Sequence, residues 1–169
     1  SGNPEAAADP ARAACFKLLR DAGANLGAAC GSGMTALHYA AVNGDATIVS
    51  LLVEAGANVN AADSEGCMAL HFAPSTRTVD CVEVLLAAGA DINARDNSGR
   101  TPFDIALAND KRRLWPLFLR AGAEIPTVCE NLTHPYIVRV KNAGGFKKYA
   151  QAHLARITPT FSSMLRLPA

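Results

Sequence analysis

Charge is scarce in this sequence, and several classes of protein are excluded by what it lacks. Only 18% of the residues are charged and half are apolar, the reverse of the balance that keeps a chain disordered. Net charge is near +1, so no overall field draws in polyanions. None of the five cysteines, Cys15, Cys30, Cys67, Cys81 and Cys129, stands in the C-x-x-C spacing of zinc or redox sites. Their odd number argues for free thiols, which persist most easily in a reducing compartment. The cytosol or nucleus is therefore the expected location, with an organelle open if a targeting segment preceded Ser1. The opening Ser1-Gly2, where a methionine would stand, leads us to expect a partial or processed chain. No apolar run approaches the ~20 residues that span a bilayer. Asn131-Leu132-Thr133 matches a glycosylation sequon, but no secretory signal gives it meaning.

Periodicity is what the sequence has in abundance. Gly23, Gly56, Gly89 and Gly122 follow one another at a spacing of 33, and Gly33, Gly66 and Gly99 repeat the same interval. Within one period Ala36, Leu37, Ala40 and Ala41 share a helical face. Thr35 suits an N-cap, and Thr101-Pro102 places a capping residue before proline at the first helical position. Gly44 can end that first helix, and Asp45 can cap a second whose apolar stripe is Ile48, Val49, Leu51 and Leu52. Gly56 stops it, and the polar run 58–65 turns toward the next copy. A pair of ~9-residue helices is unstable alone in water. Stacked pairs bury one another's apolar faces, which predicts a short solenoid.

Residues 31–63, "GSGMTALHYAAVNGDATIVSLLVEAGANVNAAD", resemble an ankyrin repeat, with Thr35-Ala36-Leu37-His38 standing for the family's T-P-L-H. Residues 65–96 and 98–125 are similar, and residues 14–26 resemble the second helix of an earlier copy. The resemblance implies an all-α ankyrin-repeat solenoid over 1–126, with a partial repeat at 1–29 and repeats at 30–62, 63–95 and 96–126. Residues 127–169, past the boundary expected at Pro126-Thr127, should form a basic helical C-terminal extension or cap. Repeat two departs from the pattern: Met68 replaces the capping Thr, Pro74 falls inside the first helix, and Arg77 takes the place of the helix-ending glycine. That helix should end early. Repeat three has Asp104 for His and Pro116 early in its second helix.

No catalytic set, metal site or cofactor is expected. His38 and His71 share one repeat position, where the family's His usually bonds a neighbouring turn. Gly31-Ser32-Gly33 lacks the Gly-Lys-Ser/Thr ending of a phosphate loop. What remains is binding. Positions outside the core of a stack line up into a concave surface, and in this family such places commonly touch protein partners. By register they are Gly31, Ser32, Met34, Val42 and Asn43 in repeat one. Repeat two supplies Ser64, Glu65, Cys67, Ser75 and Thr76, and repeat three Asn97, Ser98, Arg100, Ala108 and Asn109.

After Glu130 the chain has no Asp or Glu, but carries Arg139, Lys141, Lys147, Lys148, Arg156 and Arg166. Pro135 should open a short helix over about 135–142, Gly144-Gly145 should break it, and a second should run over about 146–157. On that second helix Phe146, Tyr149, Ala150, His153, Leu154 and Ile157 form an apolar stripe, off which Lys147, Lys148 and Arg156 lie. The extension is open to three readings: a cap on the stack, a docking element for an acidic protein surface, or attraction to nucleic acid or an anionic membrane. Phe161, Met164, Leu165 and Leu167 have little polar cover and should contact the solenoid or a partner. The expected function is a non-catalytic scaffold or assembly subunit binding one or more proteins, with no small-molecule substrate. The alternative is an accessory module of a larger enzyme or ubiquitin-ligase-type complex, although the tail lacks the Leu-Cys-Arg core of a SOCS box.

Overall fold

Positive-φ glycines decide where the helices stop. In the computed structural model, which describes residues 10–75, 79–125 and 134–152, Gly23, Gly56, Gly89 and Gly122 all hold φ between +76° and +99°. At Gly56 the amide of Ala57 donates to the Leu52 carbonyl at 3.0 Å, and Gly56's own amide donates to Val53 at 2.9 Å. This double closure ends a helix on a left-handed residue. An L side chain there would be strained by about 1–2 kcal/mol.

The helices so bounded are α1 (Pro10–Asp21), α2 (Ala36–Asn43), α3 (Ala46–Glu54) and α4 (Ala69–Phe72). They continue with α5 (Asp80–Ala87), α6 (Pro102–Ala108), α7 (Trp115–Arg120) and α8 (Pro135–Asn142). A further helical segment, α9, covers residues 146–152. Extended pairing among the described residues is confined to isolated bridges, Ala29 with Thr35 and Ala62 with Met68. The architecture is all-α.

Two layers form. Helices α2, α4 and α6 pack side by side as an inner layer, and α1, α3 and α5 as an outer one. α1 lies against α3, as a second helix of a repeat would. α7 pairs with α6 and follows α5 through Asn93, whose side chain donates to the Gly122 carbonyl and accepts from the Glu124 amide. The core repeats with the sequence. Leu37, Leu70 and Phe103 form one fully buried column, Val49, Val82 and Trp115 another, and Leu52, Leu85 and Phe118 a third. The last member of each is aromatic, and Trp115 donates its indole N–H to the Ala106 carbonyl at 3.3 Å.

Local departures follow from single residues. Pro74 cannot continue an α-helix, and α4 is four residues long before a 3-10 turn, Ala73–Ser75. Met68 was expected to lose the cap, and only half is lost. The Met68 amide still donates to His71 Nδ1 at 3.0 Å, as Thr35 donates to His38 Nδ1. In repeat three Asp104 replaces the histidine and completes a reciprocal box: Thr101 donates its amide to Oδ2 at 2.8 Å, and the Asp104 amide donates to Thr101 Oγ1 at 3.1 Å. Asp110, φ +51°, ends α6 where Gly44 ends α2.

The C-terminal extension joins the same core. Ile137 and Val140 of α8 are fully buried in it, and His134 sets its ring edge-on to Trp115 at 4.9 Å. Gly144 and Gly145, at φ +77° and +109°, turn the chain so that Tyr149 meets Tyr136 at 5.8 Å. Phe146, Tyr149 and Ala150 are half-buried while Lys147 and Lys148 are exposed. The boundary at Pro126-Thr127 and the stripe residues His153, Leu154 and Ile157 lie outside the described residues.

Candidate binding surface

Three inter-repeat turns are built on one plan. Asp63 Oδ1 accepts the amides of Glu65 and Cys67, each at 2.9 Å. Asp96 Oδ1 accepts those of Ser98 and Arg100 at the same distance. One period earlier the residue is Cys30, whose sulfur faces the Ser32 hydroxyl at 3.1 Å and Tyr39 Oη at 3.6 Å. Those two contacts, with the Ser32 amide, lower this exposed thiol to about 7. The same cysteine raises the Tyr39 phenol. Burial opposes the charge on Asp96, but the Arg100 amide and guanidinium outweigh it and hold the carboxyl below its ordinary value.

Successive turns are stitched together. The Ser64 amide donates to the Ser32 carbonyl at 3.0 Å, and the Asn97 amide to Glu65 at 2.9 Å. Histidines complete the seam: His38 Nε2 bonds the Cys67 carbonyl at 3.1 Å, and His71 Nε2 the Arg100 carbonyl at 3.2 Å. Because each Nδ1 accepts an amide, the proton sits on Nε2, which donates. Burial keeps His71 below the ordinary imidazole value. Both histidines are thus occupied in joining repeats.

The expected surface positions fall into three groups. Gly31, Ser32, Val42, Asn43, Ser64, Glu65, Asn97, Ser98, Arg100, Ala108 and Asn109 are exposed, and Met34 is half-buried. Cys67 needs correction: it is buried at 6% exposure, and burial pushes its thiol up to about 11. It offers no side chain to a partner. Ser75 ends the 3-10 turn, and Thr76 lies outside the described residues. Two exposed members have structural work as well. Asn97 Nδ2 donates to the Ser64 carbonyl at 3.1 Å, and Arg100 pairs with Asp96 at 2.8 Å.

Tyr39 was absent from that set, yet it is 48% exposed and lies one turn from Val42, which is 44% exposed. The spacing i, i+3 on a helix already puts the two on one face. Further along the inner layer the repeat equivalents of Tyr39, Phe72 and Ile105, are half-buried, and Phe72 meets the His38 ring edge-on at 5.9 Å. The inner layer therefore exposes an apolar patch on α2, bordered by a polar row of turn tips.

Of the basic positions in the extension, Arg139, Lys141, Lys147 and Lys148 are exposed on the cap. Arg156, Phe161, Met164 and Leu165 lie outside the described residues.

A family model described as ankyrin repeats, in three copies, matches residues 5–96. The α6–α7 pair continues the same caps and glycines beyond that span. No match is found among curated proteins.

Proposed function

This chain belongs to the ankyrin-repeat family, and from that premise we propose that it is a non-catalytic scaffold or assembly subunit whose protein partner seats on the inner layer and the turn tips. Ankyrin repeats are generally protein–protein interaction modules, and the family is typically non-catalytic. The observation that carries the reading is the paired exposure of Tyr39 and Val42. A half-exposed tyrosine beside an aliphatic residue is the kind of anchor that dominates protein interfaces. The polar tips Ser32, Glu65 and Ser98 would form its wet rim.

The cap adds a second contact. Arg139, Lys141, Lys147 and Lys148 are exposed while Ile137 and Val140 are buried, and these cations would meet an acidic protein surface. The reading also puts the chain in the cytosol or nucleus, where thiols such as Cys15 and Cys30 stay reduced.

Affinity capture with mass spectrometry tests it. Wild type and a Tyr39→Ala/Val42→Ser variant would serve as baits, with circular dichroism as the folding control. The variant should lose the proteins that wild type retains, by tenfold or more if Tyr39 is an interface anchor worth about 2 kcal/mol. Equal capture by a folded variant would remove the inner layer as the binding face.

A further inference from the structure

Cover runs out at the first end of the stack. Leu52, Leu85 and Phe118 are fully buried, yet Leu19, their equivalent on α1, is 59% exposed. Leu51, Val84 and Leu117 are half-buried, while their equivalent Leu18 is 70% exposed. Cys81 and Leu114 are buried, and their equivalent Cys15 is exposed. α1 packs on α3, and Phe16 joins the core. Leu18 follows Phe16 by two residues, about 200° round the helix, so it faces away from that core. Cys15 and Asp21, three residues to either side of Leu18, share its face. Lys17 stands one turn before Asp21, and both are exposed. Asp21 holds Arg20 at 2.9 Å and is still mostly open to a second cation.

Whatever covers this face must bring large apolar side chains and charges that match. The nine residues before Pro10 contain no apolar side chain larger than alanine or proline. Residues 153–169 have large ones, but carry Arg156 and Arg166 with no Asp or Glu, repeating the charge of Lys17. A second α1 meets both requirements. Laid antiparallel about a two-fold axis, with the overlap centred on Leu18 and Leu19, it sets each Lys17 beside the other copy's Asp21. A parallel pair would set like charge against like.

We propose that the outward face of α1 is a self-association surface and that its occupant is α1 of a second copy, laid antiparallel. α8 covers the other end of the stack with Ile137 and Val140, so the contact closes at two copies and does not propagate. It uses neither Tyr39 nor Val42 and stands apart from the binding role given to the inner layer.

Sedimentation equilibrium of the purified chain tests it from about 10 to 500 µM, because a contact of one helix per copy lies at the small end of interface sizes. The mass should rise from one chain toward two. Leu18→Ser/Leu19→Ser should stay monomeric, with a melting curve no lower than wild type at the dilute end, since neither leucine is buried in the single chain. Lys17→Asp and Asp21→Lys each place like charges on the face. Each should be monomeric alone, and the two should associate when mixed. A wild type that stays monomeric throughout overturns the proposal and leaves the face to a partner of another kind. A dimer that survives the leucine variant or either charge variant overturns it too, as does a mixture that stays monomeric.

Discussion

A Cβ placed on Gly33 would lie 2.9 Å from the Ser64 amide nitrogen, and one on Gly66 would lie 2.6 Å from Asn97 Oδ1. Gly99 has the same positive φ, and among the described residues nothing stands within 4 Å of an added Cβ. The comparison separates conformational strain from crowding. Gly99→Ala should cost about 1–2 kcal/mol, the left-handed penalty alone. Gly33→Ala should cost a further 1–3 kcal/mol or so for overpacking against backbone that cannot rotate away. Urea unfolding of both variants decides it, and equal costs would mean that the turns do not press on one another.

His71 gives a second prediction at this scale. Burial favours its neutral form and lowers its pKa in the fold. On acidification the unfolded chain therefore takes up the proton first. The contribution is complete above the unfolded value near 6.5 and is lost as pH falls through it toward the lower folded value. Melting temperature should fall between pH 7.5 and 5.5, and less steeply for His71→Gln, which keeps a donor near the Arg100 carbonyl. An unchanged slope in that variant would move the proton uptake elsewhere. Asp96 acts in a separate window, since its lowered carboxyl loses its contribution only at more acidic pH.

Between elements, the outer loops are joined by asparagines one period apart. Asn60 donates to the Gly89 carbonyl and accepts from the Asp91 amide, and Asn93 does the same with Gly122 and Glu124. The corresponding residue after α1 is Gly27, which has no side chain to make the link. Its φ is not left-handed, and an added Cβ would make only an ordinary 3.5 Å contact with Asn25 Oδ1. Gly27→Asn should therefore stabilise the chain by about 1 kcal/mol, from reduced unfolded-state freedom and the restored bridge. Hydrogen exchange should show α1 as the least protected helix of the outer layer in wild type and slower there in the variant. Faster exchange in the variant would show that the loop does not accept the side chain.

Helix ends were legible because each rests on one residue with one backbone preference: Gly56, Asp45, Pro74 and Pro135 stopped or started helices where their chemistry requires. Burial was less legible because it depends on neighbours. Met34, Cys67 and Arg100 share one repeat position, yet the first is half-buried, the second buried and the third exposed. Arg100 is long enough to reach outward and grip Asp96, while the short thiol of Cys67 stays beneath the turn whose carbonyl His38 holds. Tyr39 is not marked by the helical stripe pattern, which shows what faces the core and says nothing of which outward residues are large.

For the whole molecule, the open question is what closes the stack. A solenoid's repeats each contact only their neighbours, so an end without cover leaves apolar surface wet. Here the third repeat turns large aromatics, Trp115 and Phe118, into the columns, and α8 lays Ile137 and Val140 on that end with complete burial. Ile137→Ala with Val140→Ala removes five methyl-sized groups from one site, which should cost about 3–5 kcal/mol given the usual range for buried aliphatic truncations. Because coupling passes between neighbours, the loss should be uneven. Amides of α6 and α7 should lose protection first, while those of α2 and α3 change little. A decorative extension would behave otherwise: the double variant would melt like wild type, and exchange in α7 would not respond. Charge reversal at the exposed Lys147 and Lys148 is the control, since it leaves the buried face of the cap untouched and should shift the melt by less than about 0.5 kcal/mol.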